Sequence, residues 1–253
     1  MDSASIAARM RESYGSQIEE AYDCLRQAII DGTLPPSEKL RIDFLRRSFG
    51  FGASGLREAL SRLVADGLVE CEAQRGYWVA PISREEFCDI TASRKVIEVE
   101  ALRQSIQHGS LEWEGQIVAA CHSLVRVEKS MRAASPEVIK GWERANRTFH
   151  MALIAGCPSR WLLRFTELLY DQSERYRCRT ELRRPIPRTG ALSAEHKEIV
   201  ALTLDRNVEM ACAALTRHID NTALSVEKSI FKPSRVERAA RSEAREAAAQ
   251  KRT

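Results

Sequence analysis

Glycine residues divide the first third of the chain into three short helical segments, and a hairpin pattern follows them. The helical segments end before Gly32, Gly50 and Gly67, and Ser54 is placed to cap the start of the third. The next residues, LVECEAQRGYWVAP, read as two short strands joined by a tight turn. Residues 16–82 are therefore predicted to form a winged helix-turn-helix domain.

The rest of the chain is predicted to be helical. Residues 83–231 show apolar residues at helical spacing and almost no strand pattern, which predicts an all-helical bundle of about six helices. The fold class is therefore mainly α. Residues 1–15 are expected to form a flexible N-terminal arm, because Gly15 breaks the helical pattern before Ser16. The charged residues 232–253 are expected to form a disordered tail. The expected helices of the bundle cover residues 84–108, 111–133, 136–156, 159–181, 192–204 and 207–230.

The composition excludes several classes of protein. Hydrophobic residues make up 44% of the 253 residues and charged residues 29%, which excludes wholesale disorder. The sequence has no run of 18 apolar residues, and its start lacks the apolar core of a secretory signal. The seven cysteines are scattered and form no C-x-x-C pair, which favours reduced thiols. We therefore expect a cytoplasmic protein with no membrane partner.

Basic residues concentrate within residues 39–62, although the whole chain has a formal net charge of only +4. Such a cluster on short helices indicates a phosphate-binding surface better than net charge does, with a solvated helix face as the alternative. Arg57 lies one turn into the third helical segment, where a helix-turn-helix contacts base edges and phosphates. The full set of DNA-binding candidates is Lys39, Arg47, Ser54, Arg57, Arg75 and Gly76.

The motifs of this domain resemble those of the GntR family of bacterial transcription regulators. They are G-x-L-x-P-x-E-K-L from Gly32, R-E-A-L-x-R-L from Arg57, D-G-L-V and Q-R-G. The resemblance implies a homodimer that binds a pseudo-palindromic operator in double-stranded DNA. Family members usually have arginine and proline where this chain has Ala53 and Gly55, so the resemblance does not imply an operator sequence.

Three histidines and one asparagine of the helical domain are candidate metal ligands. Asn146 and His150 are four residues apart and share a helix face, while His196 and His218 lie on two later helices. If those helices pack together, three imidazoles and one amide oxygen converge, and imidazole suits Zn, Ni, Cu and Fe. From the spacing alone, histidines that are ordinary surface or core residues are the alternative.

The same positions resemble the FCD domain, the effector-binding domain of the FadR branch of the family, in which many members bind a metal. The matching segments are N-R-T-F-H from Asn146, E-H-K-E-I from Glu195, R-H-I from Arg217 and R-K-V-I-E from Arg94. The resemblance implies a divalent ion, Zn first with Ni, Mn or Fe as alternatives. It also implies that Arg94 binds the carboxylate of an effector, and a helix-surface pair with Glu98 is the alternative role.

The expected effector is a small carboxylic acid, with Arg175 and Arg177 as additional contacts, and a solvated helix face is the alternative for these two arginines. The segments ALRQSIQHGSLEWE and LYDQSERYR resemble a CsiR-like subgroup that is associated with C5 dicarboxylates such as glutarate or 2-hydroxyglutarate. The sequence thus favours a repressor that such an acid releases from DNA. Two alternatives are a DNA-binding dimer whose helical domain has no ligand and a helical metalloenzyme with an appended DNA-binding domain. Neither an H-E-x-x-H spacing nor a nucleophile motif is present, so we expect no enzyme activity.

Overall fold

The computed structural model describes residues 3–130, 135–178 and 189–231. Its first helix, α1 (Ser3–Ile30), includes residues that were expected to form a flexible arm. The predicted break at Gly15 is wrong, because one glycine costs a helix only about 1 kcal/mol and good helix formers surround it. The expected tail, residues 232–253, lies outside the described residues.

The predicted winged helix-turn-helix follows α1. It contains β1 (Lys39–Leu40), α2 (Ile42–Phe49), α3 (Ala53–Ala65), β2 (Val69–Glu72) and β3 (Gly76–Val79). The strands form an antiparallel sheet in the order β1-β3-β2. The sequence did not predict β1, because two residues are too few to show an alternating pattern.

The start of α3 differs from the prediction. Gly52, with extended backbone, occupies the cap position, so the prediction of Ser54 as the N-cap is wrong and Ser54 lies in the first turn. Helix α3 buries Leu56, Leu60 and Leu63 completely, and each such leucine contributes roughly 1.5–3 kcal/mol of hydrophobic stabilisation. Since these residues share one face, the opposite face of α3 is left to solvent.

The second domain contains six helices in the described part of the chain, and the mainly α fold class is confirmed. Helix α4 has the predicted ends, and α8 begins three residues earlier than predicted. Residues 131–133 and 179–181, expected as ends of helices, lie outside the described ranges. The helices are α4 (Arg84–His108), α5 (Leu111–Ser130), α6 (Pro136–Ile154), α7 (Arg160–Arg177), α8 (Thr189–Leu204) and α9 (Val208–Ile230).

Side-chain caps and an apolar core define the helical domain. The side chains of Ser83, Ser135, Ser159 and Asn207 accept hydrogen bonds from backbone N–H groups in the first turns of α4, α6, α7 and α9. Aromatic and aliphatic side chains from α4, α5, α6, α8 and α9 form the core, and partly buried Leu162 and Leu163 of α7 pack against it. None of the described helices is both long enough and apolar enough to cross a bilayer.

The two domains meet along α7, which packs against α4 and also contacts α1.

Candidate DNA-binding surface and metal site

The outward face of α3 carries Ser54 and Arg57, and both side chains are exposed. The Arg57 guanidinium has no hydrogen bond or ion pair with any residue in the described ranges. An arginine in this position is free to bind guanine O6 and N7 or a phosphate. The exposed Arg47 of α2 donates from Nε to the backbone oxygen of Asp43 over 3.1 Å, which leaves its other nitrogens toward solvent.

The wing carries the remaining DNA-binding candidates. Exposed Lys39 on β1 lies over Trp78 of β3, with its Nζ 4.8 Å from the ring centre. At the wing tip, exposed Arg75 forms an ion pair with Glu72. Gly76 has a φ of +110°, a backbone conformation that would be strained for a residue with a side chain.

One member of the basic cluster has a structural role instead. Arg62 of α3 donates to Glu19 of α1 over 2.6 Å, and its guanidinium lies 4.2 Å from the centre of the Tyr22 ring. These contacts join α3 to α1 inside the domain. Arg62 is therefore not among the side chains available to DNA, whereas Arg41, directly before α2, and Arg46, within α2, are exposed.

In the helical domain, three histidines converge. His150 on α6, His196 on α8 and His218 on α9 are all buried, and their nearest ligand atoms lie within 4.8 Å of one another. The centres of the His196 and His218 rings are 4.7 Å apart. Three separate helices thus bring three imidazoles to one point.

Two carboxylates hydrogen-bond to the Nδ1 atoms of two of these imidazoles. Nδ1 of His196 is 3.1 Å from Oε1 of Glu128, and Nδ1 of His218 is 2.9 Å from Oε2 of Glu195. A carboxylate on Nδ1 fixes the proton there and leaves Nε2 as a lone-pair donor, the usual support of metal-binding histidines. Within the described residues, Nε2 of His196 is buried and has no hydrogen-bond partner. A buried nitrogen of this kind fits a metal ion, which would supply the missing partner for its lone pair.

Electrostatics lower the pKa of two of these histidines, His150 and His218. Burial, with smaller contributions from the other two histidines and from Arg94 and Arg177, lowers the pKa of His150 well below its usual value. Burial also lowers the pKa of His218 to about 4, although the hydrogen bond to Glu195 opposes the shift. The neutral imidazole is the form that binds metals, so His150 and His218 need no proton loss near neutral pH.

Asn146 lies one turn before His150 and is buried with it. Its Nδ2 donates to the hydroxyl of Tyr170 on α7 over 2.7 Å. This bond orients the side-chain amide and leaves Oδ1 as an acceptor. The fourth predicted ligand therefore keeps an oxygen for a cation while its nitrogen is fixed to α7.

Arg94 and Arg177 lie beside this cluster and are themselves buried. Arg94 donates from Nε to Glu98 over 2.5 Å and from Nη1 to Ser173 over 2.8 Å. Arg177 bonds to the same Ser173 and forms an ion pair with Glu143 at 3.3 Å. The two guanidiniums lie 5.3 and 4.9 Å from the centre of the Tyr170 ring. Two fixed guanidiniums beside a cluster of buried imidazoles are chemically suited to an organic anion.

Arg175 does not join the other two arginines. It is buried, but its Nη2 donates to the backbone oxygen of Ala80 over 2.5 Å and its Nη1 to Gln172 over 2.8 Å. The prediction of Arg175 as an effector contact is therefore not supported by its position. The sequence analysis grouped Arg175 with Arg177 as carboxylate contacts, but residues two positions apart point to different sides of a helix.

Sequence reasoning missed Glu128 and Tyr170. Glu128 is far from His196 in the sequence and belongs to another helix, so no spacing links the two. Tyr170 lies in the segment LYDQSERYR, whose buried side chains are mostly polar. Glu195 had a signal, since it stands directly before His196 in E-H-K-E-I, but its partner is His218.

A second group of ligand-type atoms is already compensated. Glu143, Glu174 and Cys178 offer atoms within 4.8 Å of one another. However, Glu143 is paired with Arg177 and Glu174 with Arg147, both at 3.3 Å. The arginines supply the positive charge in this group, in contrast to the unpartnered Nε2 of His196.

Comparisons with known proteins agree with both domains. Residues 17–79 match the bacterial regulatory proteins of the gntR family, and residues 89–221 match the FCD domain. The chain is 37% identical over 207 residues to the uncharacterized HTH-type transcriptional regulator BphR of Paraburkholderia xenovorans (strain LB400), which is 82% of this chain and 84% of that protein. It is 35% identical over 203 residues to the HTH-type transcriptional repressor GlaR of Escherichia coli (strain K12), 79% of this chain and 91% of that protein.

A solved structure agrees with the fold. The structure of Escherichia coli McbR/YncC has a TM-score of 0.70 and 16% identity, and the match covers 84% of this chain and 97% of that one. At this identity the likeness concerns the fold alone. Together with the family matches, these relatives show that the chain is a DNA-binding transcriptional regulator of the GntR family with an FCD domain.

Proposed function

We propose that this protein is a repressor that a small carboxylic acid, a C5 dicarboxylate or hydroxy acid, releases from its operator. The acid binds in the helical domain beside a divalent metal ion held by Asn146, His150, His196 and His218. The observation that carries the proposal is the convergence of three buried histidines, of which one has an Nε2 without a hydrogen-bond partner among the described residues.

The metal supplies an electrophilic anchor for a carboxylate oxygen of the effector. A set of three imidazoles and an amide oxygen suits Zn²⁺, with Ni²⁺, Mn²⁺ or Fe²⁺ as alternatives. Because Asn146 is neutral, the ligand set carries no negative charge of its own. The support comes from the carboxylates of Glu128 and Glu195, which hydrogen-bond to the histidine Nδ1 atoms.

Arg94 is the residue that we assign to the effector carboxylate. It is buried, lies near the histidines and has Glu98 as its carboxylate partner at present. A guanidinium presents five donors, so an effector carboxylate either joins Glu98 or replaces it. Arg177, whose guanidinium also borders Tyr170, is assigned to the second carboxylate of a dicarboxylate.

The DNA-binding half acts as a homodimer on a pseudo-palindromic operator, which fits a cytoplasmic protein. Arg57 of α3 contacts base edges, Lys39 and Arg47 contact phosphates, and Arg75 with Gly76 at the wing enters the minor groove. The repressor assignment is supported by the GlaR repressor, which shares 35% identity with this chain. For release, the acid must bind more tightly to the protein off DNA than on DNA, since linkage is reciprocal.

A thermal-shift experiment on the full chain tests the proposal. Chelator-treated protein is measured with Zn²⁺, with glutarate and with both, and succinate and adipate serve as length controls. We expect Zn²⁺ to raise the melting temperature and glutarate to raise it further only when Zn²⁺ is present. A shift with neither would instead support a helical domain that only dimerises, and turnover of the acid would support the metalloenzyme.

A further inference from the structure

The C-terminal part of α7 is buried on every side. Residues 170–177 are eight consecutive buried residues, and most of them are polar or charged. A surface helix buries one face only, so a stretch that is buried all round must have partners on both sides. Here the partners belong to the two different domains.

One side of this segment faces the metal and effector site. Tyr170 accepts a hydrogen bond from Asn146 at 2.7 Å, and Ser173 accepts one from Arg94 at 2.8 Å. Arg177, on the same side two turns after Tyr170, pairs with Glu143 of α6. A change at Asn146, a candidate metal ligand, or at Arg94, the candidate effector contact, therefore acts directly on α7.

The opposite side is bound to the DNA-binding domain. Asp171 accepts from Nε of Arg26 on α1 over 2.6 Å, and Gln172 donates to the backbone oxygen of Asp66 at the end of α3 over 2.7 Å. Arg175 donates to the backbone oxygen of Ala80, where the wing leads into α4. These contacts reach the first helix, the DNA-reading helix and the connection between the domains.

Arg147 links the two sides at one more point. It follows Asn146 in α6 and donates to Asp171 over 2.5 Å, so Asp171 lies between an arginine of each domain. The backbone of the DNA-binding domain also packs closely against α7, because a Cβ atom at Gly67 would lie 3.3 Å from Nε2 of Gln172. A partial shift of α7 against the DNA-binding domain would leave a buried group without its hydrogen bond. The two parts therefore keep one relative position or move together to another.

We propose that this segment of α7 couples the two sites, with Gln172 and Arg175 as the positioning residues that report the state of the histidine cluster to the DNA-binding domain. The inference rests on the proposed function, because it needs an occupant at the histidines. A ligand that engages Asn146 or Arg94 shifts Tyr170 and Ser173, and the helix carries this movement to α3 and to the connection at residues 80–83.

Hydrogen–deuterium exchange of the full chain, with Zn²⁺ against chelator, tests the coupling. In the wild type we expect slower exchange near the ligands in α6, α8 and α9, and a change at the distant residues 66–68 and 80–83. The variants Gln172→Ala and Arg175→Ala should keep the local response and lose the distant one. Arg164→Ala, an exposed arginine of the same helix, is the matched control and should keep both.

The outcomes separate the two proposals. If Zn²⁺ gives no local response, the metal site fails, and the coupling fails with it. If the wild type shows the local response without the distant one, or if Gln172→Ala retains the distant response, the coupling through α7 is overturned while the metal site stands. Gln172→Ala removes a single interdomain hydrogen bond, so the test holds even if Arg175→Ala does not fold.

Discussion

The two domains of this protein present their functional side chains in opposite ways. In the DNA-binding domain the charged candidates are exposed, and Arg57 has no partner among the described residues. In the helical domain the candidates are buried, with 0% exposure at His196 and at most 7% at Arg177. The buried set comprises Arg94, Asn146, His150, Arg177, His196 and His218.

The difference follows from the partner that each surface must bind. DNA brings its own charges to the protein, so exposed arginines need no internal compensation before binding. The small acid of the proposed function must be enclosed, and buried polar groups are stable only when hydrogen bonds compensate them. Substitutions in the DNA-binding surface therefore report function directly, whereas substitutions at the buried site need a control for folding.

The largest effect is expected at the buried histidines. His150→Ala combined with His196→Ala leaves one imidazole, so bound metal should be lost completely, as measured by elemental analysis of the purified protein. His108→Ala combined with His122→Ala, the two exposed histidines, is the matched control and should retain wild-type occupancy. Circular dichroism checks that both variants fold. Full occupancy in the first variant would contradict the site.

The exposed counterpart is Arg57. Its replacement by alanine removes a side chain with no internal partner, so stability should be unchanged while operator affinity falls by about 1–3 kcal/mol. The operator probe is a duplex selected by the wild-type protein from a random pool, and binding is measured by fluorescence anisotropy. Arg164→Ala, exposed in the helical domain, should bind like wild type. Wild-type affinity in Arg57→Ala would remove Arg57 from the DNA surface.

The sequence predicted the two domains better than it predicted their contacts. Local signals were enough for the C-terminal ends of the three glycine-ended helices, for the hairpin, and for the ends of α4, where Ser83 caps the first turn. They failed at α1, where the weak penalty of Gly15 did not stop the helix, and at β1, which exists only through its pairing with β3. Elements that depend on a tertiary partner leave little trace in their own residues.

The candidate site divides in the same way. The three histidines and Asn146 could be selected because the resemblance to the FCD domain marks them in sequence. Glu128 could not, since its relation to His196 is created only when α5 packs near α8. Arg175 shows the reverse error, because proximity in sequence to Arg177 suggested a shared role that the helix geometry does not allow.

Glu128 tests how far the buried site depends on its support. Glu128→Gln keeps the shape of the side chain but removes the charge behind His196, and losses of about 10–100-fold in metal affinity are typical for such changes. Competition titration with a zinc-sensitive dye measures the affinity. Glu112→Gln, an exposed position on the same helix, should leave the affinity unchanged. An unchanged affinity in Glu128→Gln would mean that His196 needs no carboxylate to orient it.

The smallest effect is expected at Glu174, a buried carboxylate of α7. Burial, reinforced by the charge of Glu143, raises its pKa from 4.5 to about 7, despite Arg177 and Arg147 nearby. The folded state thus keeps a proton that the unfolded chain releases above pH 4.5, so this contribution to stability is complete below that pH and is lost as the pH rises through 7. Glu174→Gln retains a neutral side chain, so its melting temperature should exceed that of the wild type by roughly 2–4 °C at pH 8 for each kcal/mol gained. The difference should vanish in acid, where the wild type is also neutral at this position.

Exposed Glu167→Gln on the same helix is the control and should show no such pH-dependent gain. If the Glu174→Gln protein were less stable than wild type at pH 8, the ion pair between Glu174 and Arg147 would outweigh the cost of burying the charge.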